Sequence, residues 1–222
     1  MSNDPMREIK DRLILAVLPE VPFTGWTMAA LAEGATGLGM DPTMGERAFP
    51  GGPNDAVLHF IDLADRRLAE EAQGPLEGLR LTGRIRWLVR HRLESWSGHR
   101  EAIRRASVIL SLPGNAMQAA KATWATADLM WRLAGDQPVD FSYYTKRATL
   151  SAVYSATLLY WMSDDSEGCA ESWAFLDRRL ADLGKLPKAM AEVRRKFQAV
   201  ETIVQSALHK KGGSRSFGVR RT

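Results

Sequence analysis

The side chains of this 222-residue chain that could do chemistry are few: His59, His91, His99 and His209, a single cysteine at Cys169, and the acidic pair Asp164-Asp165. A metal centre would gather Cys, His and carboxylates at short repeated spacings. Covalent catalysis would set a nucleophile beside a base. The histidines and the cysteine stand singly and form neither a Cys/His metal cluster nor a nucleophile–base pair. No Gly-rich phosphate loop follows a strand. Cys169 reads as inert packing, and Asp164-Asp165 read as the end of a helix in solvent. The expectation is a protein without catalysis, cofactor or metal.

What the chain offers instead is aromatic surface. Gly135-Asp136 is followed by Asp140-Phe141-Ser142-Tyr143-Tyr144-Thr145-Lys146-Arg147, then by an uncharged run from Ala148 to Ser163, then by Trp173-Ala174-Phe175-Leu176-Asp177-Arg178-Arg179. Adjacent helix residues point about 100° apart. One of Tyr143 and Tyr144 can therefore face the core while the other is exposed beside Asp140 and Lys146, the pattern of a protein-interface anchor. Upstream, Met117, Ala120, Trp124, Ala127, Trp131 and Ala134 recur at alternating spacings of three and four, an apolar helical stripe. Met117, Trp124, Trp131, Tyr154, Tyr160, Trp161 and Met162 offer flat, polarizable surface suited to an unsaturated chain. The same stripe is equally what a plain core helix shows.

The elements that must position these residues are helices, expected at 5–18, 26–36, 42–49, 52–73, 80–97, 101–112, 115–134, 140–163, 168–183 and 186–210. Proline and glycine mark the stops: Pro19, Pro22, Gly37, Gly39, the run Pro50-Gly51-Gly52-Pro53, Gly74-Pro75, Pro113-Gly114, Gly135, Gly168 and Gly184. Asp4-Pro5 reads as a helix cap followed by a first-turn proline. The uncharged segment 148–163 is expected to be a central buried helix. No convincing strand is found, and the fold class expected is all-α.

Residues 25–60 hold Gly25-Trp26-Thr27, an Ala-rich helix, a glycine turn at Gly37-Leu38-Gly39 and a short helix from Pro42 to Phe49, the order and length of a helix-turn-helix head. DNA binding needs Lys and Arg against phosphate. Between residues 19 and 56 five acids, Glu20, Glu33, Asp41, Glu46 and Asp55, face one base, Arg47. The head is expected to be vestigial and to bind no nucleic acid. The arginines of 80–105, among them Arg84, Arg86, Arg90, Arg92, Arg100, Arg104 and Arg105, read as the solvated face of amphipathic helices.

Net charge is +4, but the segment 185–222 carries ten basic residues against two acids, so the first 184 residues sum to −4. On 186–208, Leu186, Met190, Val193, Phe197, Val200, Val204 and Leu208 form one stripe flanked by Lys188, Arg194, Arg195 and Lys196. A basic amphipathic helix of this kind suits a membrane surface, with Met190, Arg194, Arg195, Lys196 and Phe197 as contacts. It also suits packing on its own domain or a partner. The longest uncharged run, 16 residues, is short for a span of about 20.

Taken together, Gly25-Trp26-Thr27, Phe49-Pro50-Gly51-Gly52, Arg84-Ile85-Arg86, Arg92-Leu93, Gly135-Asp136, the 140–147 block, Val153-Tyr154 and the 173–179 block resemble the TetR-like lipid-binding accessory proteins of coenzyme Q (ubiquinone) biosynthesis, the ninth Coq protein family. The resemblance covers roughly 5–210, with Tyr143 where most members have Trp. It implies a TetR-repressor-like fold with a three-helix head at 1–73, lipid-binding and dimerisation helices at 74–184, and a basic amphipathic helix and tail at 185–222. It further implies a homodimer with a hydrophobic tunnel for an isoprenoid quinone precursor, and a surface near Asp140, Tyr143, Tyr144 and Lys146 that docks the di-iron hydroxylase of the pathway. Without a transit peptide the chain resembles a bacterial form, cytoplasmic and peripheral to the inner membrane. The competing reading is a ligand-responsive transcription regulator of TetR type.

Overall fold

Asp4 begins the first helix as the sequence predicts: its side chain accepts a hydrogen bond from the Met6 amide at 3.1 Å, and Pro5 occupies the first turn. In the computed structural model, residues 4–136 and 142–182 are described. The chain divides into two compact units, 1–178 and 179–222. The helices of the first unit are α1 (Pro5–Val17), α2 (Val21–Thr24), α3 (Met28–Gly37), α4 (Met44–Ala48), α5 (Pro53–Glu71), α6 (Leu81–Glu94), α7 (Arg100–Ser111), α8 (Ala116–Leu133), α9 (Ser142–Met162) and helical residues 170–178, here α10. No strand occurs among the described residues. Of the second unit only 179–182 are described. The expected helix 186–210, with Met190, Arg194, Arg195, Lys196 and Phe197, lies outside the described residues, as does Asp140.

Each motif of the N-terminal segment has a packing role. Gly25 takes a left-handed φ of 73°, Trp26 is buried, and Thr27 caps α3 by accepting the Ala30 amide at 3.1 Å. The Trp26 indole donates to the carbonyl of Ala102 on α7 at 2.9 Å, and its ring lies 5.9 Å from Phe60, which meets Trp96 edge-on at 4.9 Å. After α3 the predicted glycine turn is a Schellman cap: Gly39 N–H donates to Thr36 and Met40 N–H to Ala35, with Gly39 at φ 71°. Helix α4 crosses α3 at Gly45, where an added Cβ would lie 3.0 Å from Leu31 Cβ. One apolar core runs through α1, α3, α5 and Trp96, Ala102 and Ala106.

The one-turn helix α2 is the element that the periodicity does not show. Helix α9 also departs from expectation. It buries the face of Arg147, Leu150, Tyr154, Thr157 and Trp161 but exposes Ala148, Ala152 and Leu159, the last by 62%. It is therefore uncharged along 148–163 without being buried on all sides.

Candidate functional site: an apolar cavity with a polar end

The arginines of α6 and α7 divide: Arg86, Arg90 and Arg104 are exposed as expected, while Arg84, Arg100 and Arg105 are part-buried and Arg92 is buried. Arg84 donates to the carbonyls of Leu79 and Ala134 at 2.9 and 3.1 Å. Arg100 and Arg104 donate to Asp164 and Met162, the carbonyls at the end of α9, and Arg105 donates to the Pro22 carbonyl of the one-turn helix α2 at 2.8 Å. Cations belong at helix C-termini, where carbonyls lack intrahelical donors. Arg86 pairs with Asp177 at 2.6 Å and Arg90 lies over the Trp173 ring at 5.1 Å, so Trp173 and Asp177 mark the face of α10 that meets α6.

Arg92 goes further inward. Only 7% exposed, it holds Asp65 Oδ1 through Nε at 2.6 Å and the Ile61 carbonyl through Nη2 at 3.3 Å. Burial opposes its charge, but Tyr154 and Asp65 outweigh that penalty and hold its pKa above the ordinary value. The Thr126 hydroxyl donates to the other Asp65 oxygen at 2.7 Å. Beside this pair lies a cavity of about 80 Å³, walled by α5, α6, α7, α8 and α9 through Phe60, Ile61, Leu93, Ile103, Ala106, Leu110 and Leu158. Arg92, Thr126 and Tyr154 line its polar side. Tyr154 is 7% exposed, and its hydroxyl has no hydrogen-bond partner among the described residues. Burial, with Asp65 nearby, raises the Tyr154 pKa and keeps it a proton donor despite Arg92.

Among the seven residues expected to touch lipid, Tyr154 lines this cavity; Met117, Trp124, Trp131, Tyr160, Trp161 and Met162 do not. Met117 is 69% exposed at the start of α8, and Trp124 is half-buried. Trp131 is core, its indole donating to the Lys146 carbonyl at 3.0 Å, and Trp161 is fully buried under Arg100. Tyr160 stacks on Phe175 at 5.0 Å and donates to Glu171 at 3.0 Å. Met162 is buried, its sulfur 3.8 Å from the Ser107 hydroxyl. The α8 residues that reach the cavity are Thr123 and Thr126, whose hydroxyls bond back to Ala119 and Ala122. That bond lets a threonine present its methyl, so a stripe drawn on apolar residue types passes over it.

The aromatic block at the start of α9 is anchored by charge. Arg147 is fully buried, donates to Asp128 on α8 and to the Tyr143 carbonyl, and stands 3.6 Å from Asp136. Its guanidinium lies 3.5 Å from the centre of the Tyr143 ring, and the Tyr143 hydroxyl donates to Asp128 at 3.2 Å. Lys146 pairs with Asp136 at 2.6 Å. Gly135 makes this possible by closing α8 in a second Schellman cap at φ 87°, with Arg84 Nη1 where a Cβ would come within 3.2 Å. Tyr143 is thus the inward tyrosine. Tyr144 is the outward one, 70% exposed, with its ring 5.1 Å from Tyr143 and 6.2 Å from Trp124.

Other polar groups are structural. Asp164 is buried rather than at a solvent end, and it accepts Ser166 and Ser172 amides and hydroxyls. Burial would raise its pKa, but these hydrogen bonds hold it well below the carboxylate range. His91 Nε2 lies 2.7 Å from Glu71 and 3.4 Å from the Ser95 hydroxyl, so one ring nitrogen faces both. A catalytic relay uses the two nitrogens separately. No group of three or more His, Cys, Asp or Glu is placed to hold a metal among the described residues. No described helix is long and apolar enough to cross a membrane.

This fold is that of the TetR class. The crystal structure of the TetR transcriptional regulator from Nitrosomonas europaea ATCC 19718 superposes with a TM-score of 0.63, at 21% identity, covering 80% of this chain and 97% of that one. The family model described as COQ9 matches residues 116–187. The chain is 33% identical over 201 residues to the mitochondrial ubiquinone biosynthesis protein COQ9 of Rattus norvegicus, covering 87% of this chain and 64% of that protein. With COQ9-B of Xenopus laevis the identity is 32% over 201 residues, covering 87% and 68%. The chain thus spans a little under two thirds of the rat protein, and it belongs to the COQ9 family.

Proposed function

We propose that this chain serves ubiquinone biosynthesis as a non-catalytic carrier, binding an isoprenoid quinone precursor and presenting it to a membrane-associated di-iron hydroxylase. The observation that carries the reading is the apolar cavity inside α5–α9 in a chain of this family. At about 80 Å³ it is about half the 150 Å³ that holds benzene. It receives one end of a ligand, and a longer chain requires the walls around Leu110 and Leu158 to part. Each buried methylene adds about 0.8 kcal/mol, so even one five-carbon unit contributes on the order of 4 kcal/mol before association costs.

Tyr144 supports docking of the hydroxylase: it is an exposed aromatic on a base fixed by Arg147, Asp128, Asp136 and Lys146. The uncharged outer face of α9, with Ala148, Ala152 and Leu159, supports a homodimer. The basic stripe on 186–208 supports attachment to an anionic membrane surface. Against a transcription regulator stands the five-to-one excess of acids over residues 19–56. Organic extraction and mass spectrometry of the protein purified from a quinone-producing host tests the carrier reading. Enriched polyprenylated quinone or its precursors over a mock purification is the expected result; an empty protein, or bulk phospholipid alone, overturns it.

A further inference from the structure

The cavity is apolar except at one place, and the balance of charge there is specific. Arg92 is matched by Asp65, so the pair is neutral overall, and Thr126 is turned to the same carboxylate. Two donors remain unengaged among the described residues: the Tyr154 hydroxyl, on a side chain more than nine-tenths buried, and Arg92 Nη1. Donors without acceptors beside an apolar void call for an acceptor on whatever fills it. A phosphate or carboxylate would bring a net charge into a site already neutralised, which burial disfavours. A carbonyl or phenol oxygen brings an acceptor and no charge.

We propose that Tyr154 and Arg92, balanced by Asp65, form a subsite for one uncharged oxygen at the end of an otherwise apolar ligand, so that the ligand enters oxygen first with its chain directed outward between Leu110 and Leu158. The assignment rests on the carrier reading of the cavity but adds to it the polarity of the ligand's leading end and the residues that select it. Tyr154→Phe keeps the ring and removes a hydroxyl that has no partner among the described residues, so the variant folds with a thermal midpoint no lower than that of the native chain.

The test uses the full chain stripped of co-purified lipid and titrated calorimetrically with three compounds. These are geranylacetone, which has two isoprene units ending in a methyl ketone, the hydrocarbon of the same carbon skeleton, and the carboxylate of the same length. The expected result is that the native chain binds the ketone roughly three- to tenfold more tightly than the hydrocarbon, the worth of an ordinary hydrogen bond. Tyr154→Phe removes that preference and leaves hydrocarbon binding unchanged. Equal losses for ketone and hydrocarbon, or no loss for the ketone, overturn the subsite while leaving the cavity a lipid site. A carboxylate bound more tightly than the ketone overturns the neutral-oxygen assignment. Failure of the native chain to bind either ketone or hydrocarbon overturns the carrier reading itself.

Discussion

The N-terminal segment and the cavity region are built from the same materials to opposite ends. Around Trp26, Phe60 and Trp96 the packing is closed: Gly34 lies against Val17 and Gly45 against Leu31 with no room for a further carbon, and the Trp26 indole has its acceptor. Across α7, some of the same residues, Phe60 and Ala106 among them, border a void, and the tyrosine there has no acceptor. A void and an unpaired donor are both destabilising. Closed packing in one region shows that this chain can fill its interior, and the open one is where the proposed carrier reading seats its ligand.

The largest expected effect concerns the charges that hold the outward tyrosine's base. Arg147→Met leaves Asp128 and Asp136 short of a partner in a buried site and should cost about 3–5 kcal/mol in urea unfolding. Loss of less than about 1 kcal/mol would mean that Lys146, paired with Asp136, and Arg132, 3.3 Å from Asp128, suffice.

A matched pair of substitutions then tests the contrast itself. Ala35→Val, in the closed core, should cost about 1–3 kcal/mol by overpacking. Ala106→Val projects into the cavity, and its stability should stay within about 1 kcal/mol of the native chain while lipid retention falls. Equal costs at both positions would erase the distinction between the regions.

Acid should act first through His59 and His99. Burial lowers the pKa of His59, partly offset by Asp11, and lowers that of His99. A histidine whose folded pKa lies below 6.5 binds fewer protons folded than unfolded, so its contribution is intact above pH 6.5 and declines as pH falls below it. Burial would raise the Asp11 pKa, but hydrogen bonds from Arg66 and His59 lower it overall, and its contribution is lost in turn as pH falls below 3.8. Urea midpoints at pH 7.5 and pH 5.5 should fall in that order, and His59→Gln should flatten the first step. The smallest effect on folding is expected for Tyr144→Ala, within about 0.5 kcal/mol, while association with the hydroxylase in a pull-down weakens. Unchanged association would remove Tyr144 from the docking surface.

The helices were legible because their ends are written in proline, glycine and Asp4, residues whose local chemistry acts without tertiary help. The family was legible from blocks such as 140–147 and 173–179. The cavity was not. Arg92 has the sequence context of a solvated arginine, and only the distant Asp65 shows that it turns inward. Thr123 looks polar, yet a bond to its own helix makes it apolar wall, while Thr126 turns its hydroxyl to Asp65. A tryptophan stripe tells which side of a helix faces in, and Trp131 and Trp161 do face in, but whether that interior is filled or hollow depends on what the other helices bring to it.

Trp26 and Arg105 both complete backbone carbonyls across the junction between the first helices and α7. A gene shortened to remove the first 49 codons would leave Phe60 and Trp96 wet, the Ala102 carbonyl without its donor, and α7, a wall of the cavity, without its outer support. The head is therefore a support for the cavity's wall, whatever the head itself contacts.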